Sequence, residues 1–340
     1  MRITKNESIN LIYNEDLLKL GKQANDIKKN KFGNITTFII DRNINYTNIC
    51  QNECDFCAFF RRKNQKSAYL LSHEEIIEKV REAVDVGATQ VMIQGGLNPE
   101  LGLDYYEKML RLIKSKFDIT IHSFTATEIQ YFAKLEGISI LNALKRLQAA
   151  GLDSLPGGGA EILVDEVRKI ISPKKISSYD WLNVMKLAHS IGMRSTATMV
   201  IGFGETLEQR IEHMEKIRQL QDETGGFRAF IMWSFQPGNT KLGGEKVSSF
   251  DYMKTLAVSR IFLDNIEHIQ GSWVTQGEKI GQLTLGFGAD DLGSIMLEEN
   301  VVRAAGTSYE MSINKMVNLI NATGNIPAQR DTEYKILRKF

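Results

Sequence analysis

Cys50, Cys54 and Cys57 are the only cysteines in the chain, and they fall within eight residues, spaced C-x3-C-x2-C with Phe56 just before the last. Three thiolates this close in sequence can hold three corners of a cubic 4Fe–4S cluster. Such clusters ordinarily take four cysteines. Here one iron would lack a protein thiolate, and an open coordination position is where metal chemistry takes place. A structural zinc site normally closes with four ligands. It would need a distant fourth here, with His73 the nearest histidine in sequence. A disulfide framework fits worse, because the count is odd and the chain is long.

Other residues with chemical capacity stand where strands are expected to end. His122 carries an imidazole able to bond a ligand or move a proton near neutral pH. The alternative is a partly buried histidine bonded to a carbonyl. The run Pro156-Gly157-Gly158-Gly159-Ala160-Glu161 lacks the Gly-Lys-Ser/Thr ending of a phosphate loop. Its Glu161, with Arg168 seven residues on, suits a zwitterionic ligand, since Arg grips carboxylates in a planar fork. The alternative is a surface ion pair of little worth. The glycines of Gln94-Gly95-Gly96 and Gly202-Phe203-Gly204-Glu205 lack Cβ atoms where a ligand could approach the backbone, although the first is also an ordinary tight turn. Trp233, Gln236 and Asn239 lie in the aromatic run 227–239 near the C-terminal end of its strand and are candidate substrate contacts; Trp273 and Asp290 are expected to end the last two strands, each a candidate substrate contact or else a barrel-lid residue.

The elements that must position these residues alternate. The spacing predicts a helix over 13–29 and β-branched strand character over 36–47, so the cysteine loop leaves a first core strand. Ser72 and Glu75 form a capping-box pattern for a helix to Val86. Strands follow over 89–94, 118–122, 152–155, 194–201, 227–233, 268–273 and 282–287, with helices between them. Unbroken β/α alternation argues for a parallel sheet. About eight strands argue for an α/β fold of the (β/α)8 TIM-barrel type, whose ligands sit at the C-terminal ends of its strands. The expected division is an N-terminal helical extension over 1–35, a barrel over 36–290 and a C-terminal helical extension over 291–340, all one structural unit.

Composition narrows the setting. The 340 residues carry a formal net charge of +1, which favours neither nucleic acid nor an anionic membrane surface. No apolar run approaches the roughly 20 residues of a membrane helix, and the first residues show no signal-peptide core. A reducing cytoplasm is the expected compartment.

The cysteine spacing resembles the signature of the radical S-adenosylmethionine (SAM) superfamily. Over nearly the whole chain the sequence is similar to the dehypoxanthine futalosine cyclase family of the futalosine route to menaquinone. The similarity rests on NINYTNICQNECDFCAFFR, QGGLNPELGLDYYE, AGLDSLPGGGAEILVDEVRKIISPKK, QDETGGFRAFIMWSFQPGNT, QGSWVTQGEKIGQLTLGFGADDLGS and EENVVRAAG. Phe203 departs from the expected pattern, which has histidine there. Aminofutalosine synthase and the tyrosine-using subunit of deazaflavin (F0) synthase are neighbouring alternatives. A non-catalytic iron–sulfur or zinc protein is the alternative of a different class.

The resemblance implies that Cys50, Cys54 and Cys57 hold one 4Fe–4S cluster, whose remaining iron binds SAM. It implies cofactor contacts at Phe56, Gln94, Gly95, Gly96, Glu161, Arg168 and Gly202, with Gly95-Gly96 near the SAM amino group. The reaction implied is hydrogen removal from the substrate ribose by a 5′-deoxyadenosyl radical, then ring closure onto the benzoate ring of the same molecule. His122, Glu161 and Asp290 are candidates for the base that takes the last proton. The implied partners are dehypoxanthine futalosine and a low-potential electron donor such as flavodoxin or ferredoxin.

Overall fold

A computed structural model describes residues 2–340. Its strands are β1 (Ile35–Ile39), β2 (Asp41–Ile44), β3 (Gln90–Ile93), β4 (Thr120–Ser123), β5 (Ser195–Ile201), β6 (Phe227–Ser234), β7 (His268–Gln270), β8 (Asp291–Ser294), β9 (Ile326–Arg330) and β10 (Ile336–Lys339). Seven form one sheet in the order β10-β9-β1-β8-β7-β6-β5, and three form another in the order β2-β3-β4. Every pairing is parallel except that of β9 with β10. Parallel strands need crossovers, and helices supply them.

The two sheets meet along one run of chain. β1 and β2 are interrupted only at Ile40, whose carbonyl accepts from the Thr89 N–H. β1 pairs with β8 and β9, while β2 pairs with β3. Between β4 and β5 stand two isolated parallel bridges, His122 with Ser154 and Leu155 with Ser195. The strand expected over 152–155 is reduced to these bridges. The fold is therefore a mixed α/β arrangement of parallel strands with helices between them.

Other expectations shift. Residues 282–287 do not form a strand: Glu278–Thr284 is a helix, and β8 lies further on. A short apolar run does not distinguish the two by periodicity. The single helix expected over 13–29 is two, Lys5–Asn14 and Leu17–Phe32, each with its own N-cap, Thr4 and Asp16. Beyond 290 the chain is not only helical, because it supplies β8, β9 and β10. The Ser72–Glu75 capping box is present, with each side chain accepting from the other's backbone N–H.

Residues 326–340 cover the starts of the strands. Arg330 bonds Asp291 at 2.6 and 3.1 Å. Tyr334 stacks on His268, ring centroids 3.7 Å apart, and Thr332 donates to Gln90. At the opposite end, strand alternation opens a cavity. On β5, Thr198 and Val200 are half-buried between buried Ala197, Met199 and Ile201. On β6, Ile231 and Trp233 behave likewise. Among the described residues no helix is long and apolar enough to cross a membrane.

Candidate functional site

The cavity has a volume of ≈ 310 Å³ and is lined by all three cysteines, the Gly95-Gly96 turn, His122, Glu161, Lys175, Trp233 and Gln236. Its size lies in the range of small-ligand pockets. The short helix Val301–Ala304 lies at its edge, with Val301, Val302 and Ala305 facing in.

The cysteine loop is anchored throughout by backbone bonds. Cys50 N–H donates to Arg61, Gln51 to Leu97, Asp55 to Ile171 and Cys57 to Cys54, at 2.9–3.1 Å. Glu53 adopts a left-handed conformation (φ 47°) to make the turn. Cys54 is buried, while Cys50 and Cys57 are half-buried. Burial pushes the Cys54 thiol up to about 12 and raises that of Cys57. Loading metal on this loop therefore displaces protons.

The donor set fits a cluster better than a single ion. Among the described residues no three His, Cys, Asp or Glu side chains are gathered tightly enough to hold one metal ion. A zinc site would require that convergence. A cluster whose cysteines bind different irons takes a wider spacing, which three thiols opening on one cavity can provide.

The glycine pair has a structural task that the sequence reading did not foresee. A Cβ on Gly96 would lie 2.2 Å from the Ile49 carbonyl oxygen and 2.8 Å from Cys50 Cβ. One on Gly95 would meet the Tyr46 ring at 2.8 Å. Removing both Cβ atoms lets this turn pack directly behind the cysteine loop. Gly95 N–H donates to Glu128, which also accepts from the Tyr46 hydroxyl, so the turn is held from behind.

Glu161 sits in the cavity wall with a left-handed backbone (φ 39°), costly for a residue with a Cβ. Its Oε1 accepts from Lys175 Nζ at 2.5 Å, while its buried Oε2 has no partner. Burial opposes the Lys175 ammonium, but the Glu161 charge, helped by Cys54, raises its pKa. The ammonium also lies 5.3 Å from the Phe56 ring centroid. Lys175 was missed in sequence; its only signal was the Pro-Lys-Lys step after the helix that carries Arg168.

Arg168 is a correction. Its guanidinium is turned onto the carbonyls of Gly159, Ala160, Ile162 and Ile176 and does not line the cavity. It clamps the loop that presents Glu161, and Lys175 supplies the cation at the site. Asp290 is a second correction. It precedes β8 at the strand starts, where its carboxylate is taken up by Arg260, His268 and the Ile269 N–H. It is 2 % exposed and lies outside the cavity lining. The shifted strand assignment put it at the wrong end.

Three further residues stand outside the lining. Gly202 gives its N–H to Glu205 and packs on Val247. Asn239 donates to the Ala304 carbonyl. Trp273 is buried with its indole N–H on the Ser294 carbonyl. Gln236 does face the cavity, held by Ser234, Thr275 and Thr307. Phe203 stands in the wall between Phe56 and Phe235, centroids 5.3 and 5.0 Å away, so an aromatic contact replaces the expected imidazole.

His122 faces in from β4 with Nδ1 2.8 Å from Ser154 Oγ. Burial, with Arg228 and Arg330 adding to it, lowers its pKa well below the usual imidazole value. It stands neutral in the cavity wall at pH 7.

Residues 44–217 match the radical SAM superfamily, and residues 224–339 match the CofH/MqnC C-terminal region. The chain is 47% identical to the cyclic dehypoxanthine futalosine synthase of Halalkalibacterium halodurans, over 100% of this chain and 92% of that one. It is 45% identical to the protein of the same name from Streptomyces coelicolor, over 99% and 86%. A 5-amino-6-(D-ribitylamino)uracil–L-tyrosine 4-hydroxyphenyl transferase from Methanococcoides burtonii is 40% identical over 98% and 96%. Among solved structures, methylornithine synthase superposes with a TM-score of 0.77 at 20% identity, covering 96% of this chain and 95% of that one. The FeFe-hydrogenase maturase HydG from Carboxydothermus hydrogenoformans gives 0.78 at 19% identity, covering 98% and 77%. These two likenesses concern the fold.

Proposed function

The chain belongs to the radical SAM superfamily, and on that premise we propose that it converts dehypoxanthine futalosine to cyclic dehypoxanthine futalosine, a step of menaquinone biosynthesis. The observation that carries this reading is that the three cysteines open on the same cavity as the Gly95-Gly96 turn and the Glu161–Lys175 pair. Full-length identity to the two futalosine synthases supports it over the 40% identical transferases. We also read the linked sheets as one (β/α)8 barrel, closed through β1–β8 and through the bridges at Ser154 and Leu155.

The cofactors are one 4Fe–4S cluster and SAM, which together supply the 5′-deoxyadenosyl radical. Cys50, Cys54 and Cys57 would hold the cluster. Lys175 and the free Oε2 of Glu161 would face the charged and hydroxyl groups of SAM, with Phe56 flanking them. Removal of a ribose hydrogen leaves a substrate carbon radical. That radical would add to the benzoate ring; a base in the cavity would take one proton and one electron would pass to the oxidised 4Fe–4S cluster, which restores aromaticity.

The protein's own work is placement and exclusion. Ring closure needs two carbons of one molecule held at near-attack distance. The apolar wall of Met92, Val200, Ile231 and Trp233 offers a benzoate ring a dry surface. Enclosure keeps water and stray hydrogen donors from the radical. His122 and Glu161 remain the candidate proton acceptors in the cavity, whereas Asp290 stands outside it. The electron would come from a small low-potential carrier such as flavodoxin or ferredoxin, and the setting is the cytoplasm.

The test is anaerobic incubation of reduced enzyme with SAM and dehypoxanthine futalosine. Cyclised product and 5′-deoxyadenosine in equal amounts are expected. Turnover of L-tyrosine with 5-amino-6-(D-ribitylamino)uracil instead would overturn the assignment.

A further inference from the structure

His122 does not stand alone in the cavity wall. Behind it, Ser154 Oγ is the meeting point of three groups. It lies 2.8 Å from His122 Nδ1, receives Arg228 Nη2 at 2.6 Å and donates to the Arg194 carbonyl at 2.9 Å. Arg228 is buried and in turn pairs with Glu333, which also accepts from Arg194 at 3.1 Å.

Counting protons fixes the imidazole. A serine hydroxyl has one proton and two lone pairs. The Arg228 guanidinium can only donate, so it occupies one lone pair. The Arg194 carbonyl can only accept, so it takes the hydroxyl proton. One lone pair is left, and the bond to His122 needs a proton from Nδ1. The alternative sends the hydroxyl proton to Nδ1. It then sets two oxygens 2.9 Å apart with no hydrogen between them. The neutral ring has one N–H, so with Nδ1 protonated its Nε2 is a bare lone pair. Nδ1 is engaged behind the wall, and Nε2 is the nitrogen left to the cavity that His122 lines.

We propose that His122 acts through Nε2 as a hydrogen-bond acceptor for a hydroxyl of the sugar-bearing substrate, and that Ser154 and Arg228 are positioning residues that fix its tautomer. The substrate class rests on the function proposed above; the tautomer does not. The arrangement selects a ligand that brings an O–H or N–H to this point. A carbonyl or ether oxygen there would face a lone pair.

The experiment is long-range ¹⁵N–¹H correlation NMR of the imidazoles in the full-length protein with its cluster oxidised, His122 being assigned by its loss in His122→Asn. The expected pattern at pH 7 is the Nδ1–H tautomer. An Nε2–H tautomer or an imidazolium would overturn the proposal. Addition of dehypoxanthine futalosine should shift Nε2 and leave Nδ1 in place. Turnover of this substrate with no Nε2 shift would also overturn it. Ser154→Ala should release the tautomer and raise KM by about tenfold with kcat little changed, the cost of one hydrogen bond. Ser154→Thr should restore both. Unchanged tautomer and KM in Ser154→Ala would sink the positioning role even if Arg228→Met failed to fold. If the tautomer is as expected but dehypoxanthine futalosine is neither bound nor turned over, the functional reading fails while the tautomer stands.

Discussion

Replacing Lys175 by methionine tests the electrostatics of the cavity wall. The Lys175–Glu161 pair is 2.5 Å long, with side chains 12% and 10% exposed. Breaking a buried pair by removing one partner costs about 3–5 kcal/mol, because the other charge is stranded. Both groups border an open cavity, so the low end, about 3 kcal/mol, is expected for Lys175→Met. Glu161→Gln strands the ammonium instead, and the double variant strands neither. Urea unfolding of the four proteins should give a coupling of about 2 kcal/mol, within the range for contacting residues. With m of roughly 1–3 kcal/mol/M, the single variants should lose on the order of 1 M in midpoint. The pH dependence has a sign as well. The folded pKa of Lys175 is raised, so its contribution is fully present below the unfolded value near 10.4. It is lost as pH rises through the folded value. The gap between wild type and Lys175→Met should be flat through neutral pH and narrow only in alkali. SAM binding to Lys175→Met should weaken at least about tenfold, as for loss of one charge-assisted hydrogen bond. A coupling below about 0.5 kcal/mol with an unchanged SAM affinity would refute the reasoning.

Four other outcomes are expected. Gly96→Ala should fold yet fail to load iron stoichiometrically, measured by iron analysis and by absorbance, because its Cβ would lie 2.2 Å from the Ile49 carbonyl. Asp290→Asn should cost about 3–5 kcal/mol in denaturant unfolding by stranding Arg260, while kcat stays near that of wild type; a large loss of kcat at full stability would restore Asp290 as a base. Burial, then Arg168 and Lys216, lowers the His213 pKa from 6.5 to about 3. Its stabilisation is complete above pH 6.5 and falls by roughly 1.4 kcal/mol per pH unit on acidification, so His213→Gln should be flatter by that slope between pH 6.5 and 5. Each cysteine changed singly to alanine should lose the brown cluster absorbance and all SAM cleavage.

The cysteine loop was legible in sequence because its chemistry is local: three thiols within eight residues carry their meaning without the rest of the chain. Helix starts were legible for the same reason, as with Ser72 and Glu75. What failed depended on distance. Arg168 has the right charge near Glu161 in sequence, yet four carbonyls claim its guanidinium, and no local pattern announces that. Lys175 reaches Glu161 only because the intervening loop folds back. Asp290 was misplaced because residues 282–287 read as strand while the chain there makes a helix and a turn. That slip moves a residue from one end of the strand layer to the other. The Gly95-Gly96 pair was found for an incomplete reason, since its closest neighbours are the Tyr46 ring and the cysteine loop itself.

The position of β1 has a consequence for the order in which the molecule can be made. Its partners are β8 and β9, some 250 and 290 residues later in the chain. During synthesis at about 5–20 residues per second, β1 emerges early and waits on the order of tens of seconds for either neighbour. Throughout that wait an apolar strand offers unpaired N–H and carbonyl groups, a template for wrong partners. Contacts this distant in sequence also slow the final closure. The cysteine loop, by contrast, begins six residues after β2 and meets its Gly96 backing within the first hundred residues. A nascent chain can thus present its three thiols well before the walls that will shelter them exist. Iron delivered in that interval would meet a loop whose sheltering walls are not yet in place.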